Sequence, residues 1–208
     1  ESPTLAITAK AIQLKAEGRD IIALAAGEPD FDTPDFIKKA AIKAIDDGFT
    51  KYTPVSGTAS LKQAVIEKFR NDNGLDYKSS EIVVSVGGKQ SIFNLCLAIL
   101  EDGDEVIIPA PYWVSYTDIV NLTGASPIVI KCDINQNFKI TPEQLKQSIT
   151  SKTKLVFINS PSNPTGAVYN KKELRALANV LIEYPHIYIG TDDICLLYTS
   201  DAADEVVS

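Results

Sequence analysis

Four stretches of this 208-residue chain combine residue types and spacing that suit chemistry on a small polar ligand. The first is Leu155–Val168, where an apolar, β-rich run stops at a loop with X-Pro bonds at Ser160–Pro161 and Asn163–Pro164. Neither a helix nor a strand ladder continues through such bonds. A polar loop at the carboxyl end of a buried parallel strand is where open α/β sheets place ligands. This loop would hold the Asn163 amide rigidly, with donor and acceptor ready for one polar group. The same residues equally make a plain strand-to-helix connection. The second stretch, Gly87-Gly88-Lys89, lies between a predicted strand and a predicted helix. Outward-facing amides at a helix N-terminus suit an anionic phosphate, although a glycine pair here also makes an ordinary turn. The third is Trp113, the only tryptophan, just past a predicted strand end, where it reads by itself as a core aromatic. The fourth is Asp192, a carboxylate at the end of the apolar run Ile187–Gly190, which by itself suits a helix cap. Asn163, Asp192 and the glycine pair are expected to converge on one cleft.

The elements that would position these residues follow from periodicity. Helical spacing predicts helices over 3–17, 34–47, 58–73, 89–100, 112–122, 142–149 and 171–183. Gly18, Gly48 and Gly74 stop the first three, and Thr33-Pro34 opens the second by N-cap and N1 logic. In the third, Leu61, Ala64, Val65 and Phe69 form the apolar face. Short apolar runs predict strands at Ile21–Ala26, Ile82–Val86, Val106–Ile108, Pro127–Lys131, Leu155–Ile158 and Ile187–Gly190. Strand and helix alternating in this way give an α/β fold with a mainly parallel sheet and helices on both faces.

Composition narrows the function. Hydrophobic residues at 45% and charged residues at 23% are those of an ordinary globular protein. A net charge of −7 with no basic cluster argues against a nucleic-acid partner. No apolar run approaches the ~18 residues of a membrane span. Cys96, Cys132 and Cys195 are scattered, which fits neither a disulfide framework nor a zinc site, and Cys96 falls in an apolar helical pattern that suits the core. The single histidine, His186, follows a proline and reads as a solvated turn residue. The glycine pair lacks the remainder of a dinucleotide fingerprint, which counts against a nicotinamide site.

Asn163-Pro164-Thr165-Gly166 resembles the signature of the class I aminotransferases, pyridoxal-phosphate (PLP) enzymes of fold type I. The resemblance runs from Glu1 to Ile194. It is densest at Gly27-Glu28-Pro29-Asp30-Phe31, Lys51-Tyr52, Gly87-Gly88-Lys89-Gln90, Pro111-Tyr112-Trp113-Val114-Ser115-Tyr116 and Asp192-Asp193-Ile194. The set is most similar to the bacterial aspartate aminotransferase branch. What the resemblance implies is a PLP-dependent transferase fold of type I. Residues 1–48 would form an N-terminal arm and part of a small domain, and residues 49–194 part of the PLP-binding large domain. Asp192 would pair with the pyridinium nitrogen, and Trp113 would stack on the ring. Asn163 would lie near the phenolic oxygen, and Gly87, Gly88 and Lys89 near the phosphate. Tyr52 would reach the phosphate of the cofactor in the other subunit of a homodimer. Gly27, Lys89, Trp113 and Asn163 would face the substrate, Lys89 holding the distal carboxylate of an acidic amino acid. The implied reaction is transamination between aspartate and 2-oxoglutarate in the cytoplasm. A PLP-dependent β-elimination and a PLP-sensing regulator domain are the alternatives.

The family's Schiff-base lysine and its carboxylate-gripping arginine lie beyond the point where the resemblance stops, and no lysine follows Lys172. The chain by itself is therefore expected to be a truncated, inactive fragment. Residues 195–208 resemble the translation of a sequencing adapter and are expected to be a non-native tail.

Overall fold

The computed structural model describes residues 3–23, 27 and 31–196. The chain divides into two units, Glu1–Tyr52 and Thr53–Ser208. The first contains helices α1 (Pro3–Ala16) and α2 (Asp35–Asp46). The opening of α2 differs from expectation. Pro34 itself is the N-cap, in an extended conformation at φ −52° and ψ 139°, so helical geometry begins only after it and Thr33 caps nothing. Asp35 then places a negative charge in the first turn, where the helix dipole favours it. Residues 21–23 of the expected strand Ile21–Ala26 form no strand, having no ladder partner among the described residues. Leu24–Ala26 and Glu28–Asp30 lie outside the described residues.

The second unit runs through helices α3 (Ala59–Asn73) and α4 (Gly88–Ile99), strand β1 (Glu105–Ala110), helix α5 (Ser115–Leu122) and strand β2 (Ser126–Lys131). Helix α6 (Pro142–Ser148), strand β3 (Thr153–Asn159), helix α7 (Lys171–Leu181) and strand β4 (Tyr188–Asp192) follow. The strands form one parallel sheet in the order β2-β1-β3-β4. The inner strands β1 and β3 have apolar side chains on both faces. Val106, Ile108, Leu155 and Phe157 point to the side covered by α4 and α5, where they pack with Cys96, Leu100, Tyr116 and Val120. Ile107, Val156 and Ile158 point to the side covered by α6 and α7, against Leu145, Leu177 and Leu181. Burying each such side chain stabilises by roughly 1.5–3 kcal/mol, so these two layers hold the sheet together. Helices on both faces of a parallel sheet are thus as expected. So is Cys96, which is fully buried. His186 is exposed.

Three further sequence-derived expectations are corrected in the second unit. Ile82–Val86 is not a strand: Val84 N–H bonds to Ser56 O, no strand lies alongside among the described residues, and Val83 and Val86 are exposed. In α3 the buried residues are Lys62 and Ile66, one position away from the expected face. Lys62 is tolerated there because its ammonium donates to Ser56 Oγ at 2.7 Å and Ser79 O at 3.3 Å. Helix α5 begins at Ser115 rather than Tyr112, since its first turn closes only with Tyr116 N–H on Trp113 O.

Candidate functional site

The site is built where β1, β3 and β4 end and where α4 begins. Beyond β3 the backbone turns through cis bonds at Ser160–Pro161 and Asn163–Pro164, and beyond β1 through a cis Ala110–Pro111. The 160–168 loop closes on itself. Gly166 N–H donates to Ser162 O at 2.7 Å and Ser162 N–H to Ala167 O at 2.9 Å. Gly166 sits at φ 71°, a left-handed conformation that glycine adopts without strain. Ser160 Oγ accepts from Tyr169 N–H at 3.1 Å, which ties the far end of the loop back to its start. The Asn163 side chain is exposed and makes no hydrogen bond among the described residues.

Asp192, half-buried, lies in register opposite Asn159 at the end of the sheet. The Tyr116 hydroxyl donates to its Oδ2 at 2.6 Å. Tyr116 is itself buried, stacked on Phe157 at 4.9 Å and meeting Trp113 edge-on at 5.5 Å. Burial first, then the hydrogen bond and charge of Asp192, push the Tyr116 phenol far above its ordinary range. It therefore remains a protonated donor to the carboxylate. Oδ1 of Asp192 accepts no hydrogen bond among the described residues. Lys89 Nζ sits 5.0 Å from the centroid of the Trp113 ring.

Lys89 belongs to the first turn of α4. Gly87 is the N-cap at φ 82° and ψ 161°, a conformation open essentially to glycine alone, and no side chain caps this helix. Gln90 Oε1 instead accepts from Val86 N–H at 2.6 Å and fixes the turn before it. A Cβ added at Gly87 or Gly88 would enter open space rather than protein.

The structure therefore links five of the seven expected cofactor residues. Contacts run from Lys89 to Trp113, Tyr116 and Asp192, then through Asn159 to Asn163, and Gly88 precedes Lys89 in α4. With Gly87 as the α4 N-cap, six of the seven lie in this unit. Gly27 and Tyr52 belong to the other unit, and both are exposed. Two linking residues had no role in the sequence reading. Tyr116 lies inside a quoted motif, three positions after Trp113, one helical turn on. Asn159 is a strand-disfavoured residue at the end of a hydrophobic run, which is the signal that marks it.

The donor set fits PLP. The uncapped amides of α4, with open space at both glycines, suit a phosphate. The open Oδ1 of Asp192 suits a cationic ring nitrogen, and the exposed Asn163 amide suits the phenolic oxygen. A cavity of about 20 Å³ beneath, bounded by Ile108, Tyr116, Phe157, Asn159 and Tyr169, has room for about one water and not for a ring. Among the described residues no acidic, histidine or cysteine cluster could hold a metal ion, and no helix is long and apolar enough to cross a membrane.

A parallel α/β sheet with polar loops gathered at its strand ends is the architecture of a small-molecule enzyme domain. The family model of aminotransferase class I and II matches residues 19–195, and the chain belongs to that family. It is 62% identical over 192 residues to an aspartate/prephenate aminotransferase of Nitrosomonas europaea, covering 92% of this chain and 48% of that protein. An aspartate aminotransferase of Bacillus sp. is 56% identical over 193 residues, covering 93% of this chain and 49% of that protein. Among solved structures, an aspartate aminotransferase from Rhizobium meliloti superposes with a TM-score of 0.88 at 49% identity, over 93% of this chain and 48% of its own. The chain spans about half the length of the curated relatives it matches.

Proposed function

We propose that the whole protein transfers an amino group between aspartate and a 2-oxo acid with PLP as cofactor, working in the cytoplasm as a homodimer. The relatives' names support aspartate. The acceptor is 2-oxoglutarate, or prephenate by the name of the Nitrosomonas relative. In this reading residues 1–48 are an arm and part of a small domain, and residues 49–194 are part of the cofactor-binding domain.

The observation that carries the reading is the linked run Lys89–Trp113–Tyr116–Asp192–Asn159–Asn163. Gly87, Gly88 and the first turn of α4 would hold the phosphate. Asp192 would face the ring nitrogen, Trp113 the ring plane, Asn163 the phenolic oxygen, and Tyr52 the phosphate in the partner subunit. When bound, PLP supplies an electron sink for the α-carbon of the amino acid. The chain's own task is positional. The Asp192 carboxylate would hold a bound ring nitrogen, and Tyr116 fixes that carboxylate's direction by donating to Oδ2. Lys89 and the backbone of Gly27 would bind the substrate's carboxylates.

No lysine follows Lys172 to carry the cofactor covalently, so residues 1–208 alone are expected to show no aspartate turnover. In this reading residues 195–208 are a non-native tail, and genomic sequence continuing in frame from Cys195 to Ser208 would contradict that. The functional test is Asp192→Ala in the whole protein. Aspartate-dependent turnover should fall by about 10²–10³ while PLP stays bound. Turnover near wild type would show that Asp192 does not serve the ring nitrogen.

A further inference from the structure

Asn159 stands between two of the site's side chains and touches both of their backbones. Its Nδ2 donates to the Asp192 carbonyl at 2.7 Å, and its Oδ1 accepts from Asn163 N–H at 2.7 Å. The amide's orientation is not interchangeable. A carbonyl can only accept and a backbone N–H can only donate, so the nitrogen must face β4 and the oxygen must face the loop. The register opposite Asp192 places this side chain at the last rung of the β3–β4 ladder. Pro161, two residues on, has no N–H with which to extend that ladder. The side chain continues it instead, and at the same time fixes the entry to the loop.

We propose that Asn159 is a positioning residue that sets the separation of Asn163 from Asp192. This rests on the reading of those two residues as parts of a PLP cradle. Few side chains can do the task. Serine is too short to span both partners, leucine offers neither bond, and aspartate keeps the acceptor but turns a charge toward the Asp192 carbonyl. Only a planar amide, or a protonated carboxyl of the same shape, donates to one neighbour and accepts from the other at this reach.

That last equivalence gives the test. In the whole protein, amide hydrogen exchange at Asn163 and PLP affinity are measured for the wild type, Asn159→Ala and Asn159→Asp. In Asn159→Ala the Asn163 N–H should exchange on the order of fivefold faster or more, and the PLP dissociation constant should rise roughly tenfold as two bonds are lost. In Asn159→Asp the Asn163 N–H should stay protected, because its acceptor remains, while PLP binding weakens at neutral pH. Lowering the pH through the introduced carboxyl's pKa should bring PLP affinity back toward that of the wild type at the same pH. A residue that merely supports the fold would give neither this split between variants nor the recovery. Equal Asn163 protection in all three proteins overturns the clamp. A wild type that binds no PLP overturns the cradle reading, on a separate measurement.

Discussion

On one side of the sheet, α6 and α7 begin with reciprocal capping boxes, Thr141 with Gln144 and Asn170 with Glu173. On the other side, α4 and α5 begin with no side-chain cap. Helices on both sides pack buried apolar side chains against the same two inner strands. A helix leaves its first amides without intrahelical partners. Side chains that satisfy them stabilise the helix and close its end, and leaving them open keeps donors for something else. Here the open ends adjoin Lys89 and Trp113, and Tyr116 in α5 reaches Asp192. The closed side carries structural bonds, among them Lys139 to Glu173 at 2.5 Å and Ile140 N–H to the Tyr169 hydroxyl at 2.9 Å. One face closes its helix ends with its own side chains, and the other leaves them open.

If that contrast is right, truncating the closed face should cost stability alone. Leu177→Ala removes a fully buried side chain from under α7 and should destabilise the whole protein by about 2–5 kcal/mol in chemical denaturation. A cost below about 1 kcal/mol would show that this layer is not close-packed. Gly87→Ala tests the open face by strain. There is room for the added methyl, yet the backbone at φ 82° and ψ 161° disfavours it by about 1–3 kcal/mol. Weaker PLP binding should accompany that loss, as the methyl enters the phosphate's space. Stability and affinity both at wild-type levels would count against the cradle.

Two asparagines sharpen the comparison further. Asn170 Oδ1 accepts from Lys172 and Glu173 N–H at 2.9 and 3.0 Å, so Asn170→Ala should cost about 0.5–2 kcal/mol and leave PLP affinity intact. Asn163→Ala removes a side chain that bonds to nothing described, so stability should stay within about 0.5 kcal/mol while PLP affinity falls. Reversal of that pattern would remove the distinction between the two faces.

Much of this was legible from residue order. The runs at Val106–Ile108 and Leu155–Ile158 are continuous and apolar because both of their faces are covered, and the Asn163-Pro164 signal depends on neighbours close in sequence. What escaped depends on distant partners. Ile82–Val86 has strand composition, but a strand exists only where another offers a ladder, and here Val84 finds just Ser56. The inward turn of Lys62 needed Ser56 and Ser79, invisible to periodicity. Of the site, the glycine turn, Trp113, Asn163 and Asp192 could be named from motif positions. Their connection through Tyr116 and Asn159 could not, because Tyr116 and Asp192 are 76 positions apart and Asn159 and Asp192 are 33 apart.

The smallest effect expected is in the acid limb of stability. Burial pushes the Glu173 carboxyl up, but the Lys139 ammonium and the Asn170 N–H outweigh it and leave it below the usual carboxylate value. A folded-state value below the unfolded one means that the contribution is complete above the unfolded pKa of about 4.3 and is lost as pH falls through the folded value. The Glu173 side chain is 36% exposed, so solvent screening keeps the effect modest. The alkaline limb has the opposite sign. Burial raises the Tyr169 phenol to about 12, so its contribution is complete below the ordinary tyrosine value of about 10 and fades as pH rises toward 12. Glu173→Gln keeps the shape of the capping box and removes the charge. Urea midpoints of that variant should change less than those of the wild type as pH drops below about 4.3, with the alkaline limb unaltered. Parallel acid limbs in the two proteins would mean that the Lys139–Glu173 bond adds nothing to the closed face beyond its shape.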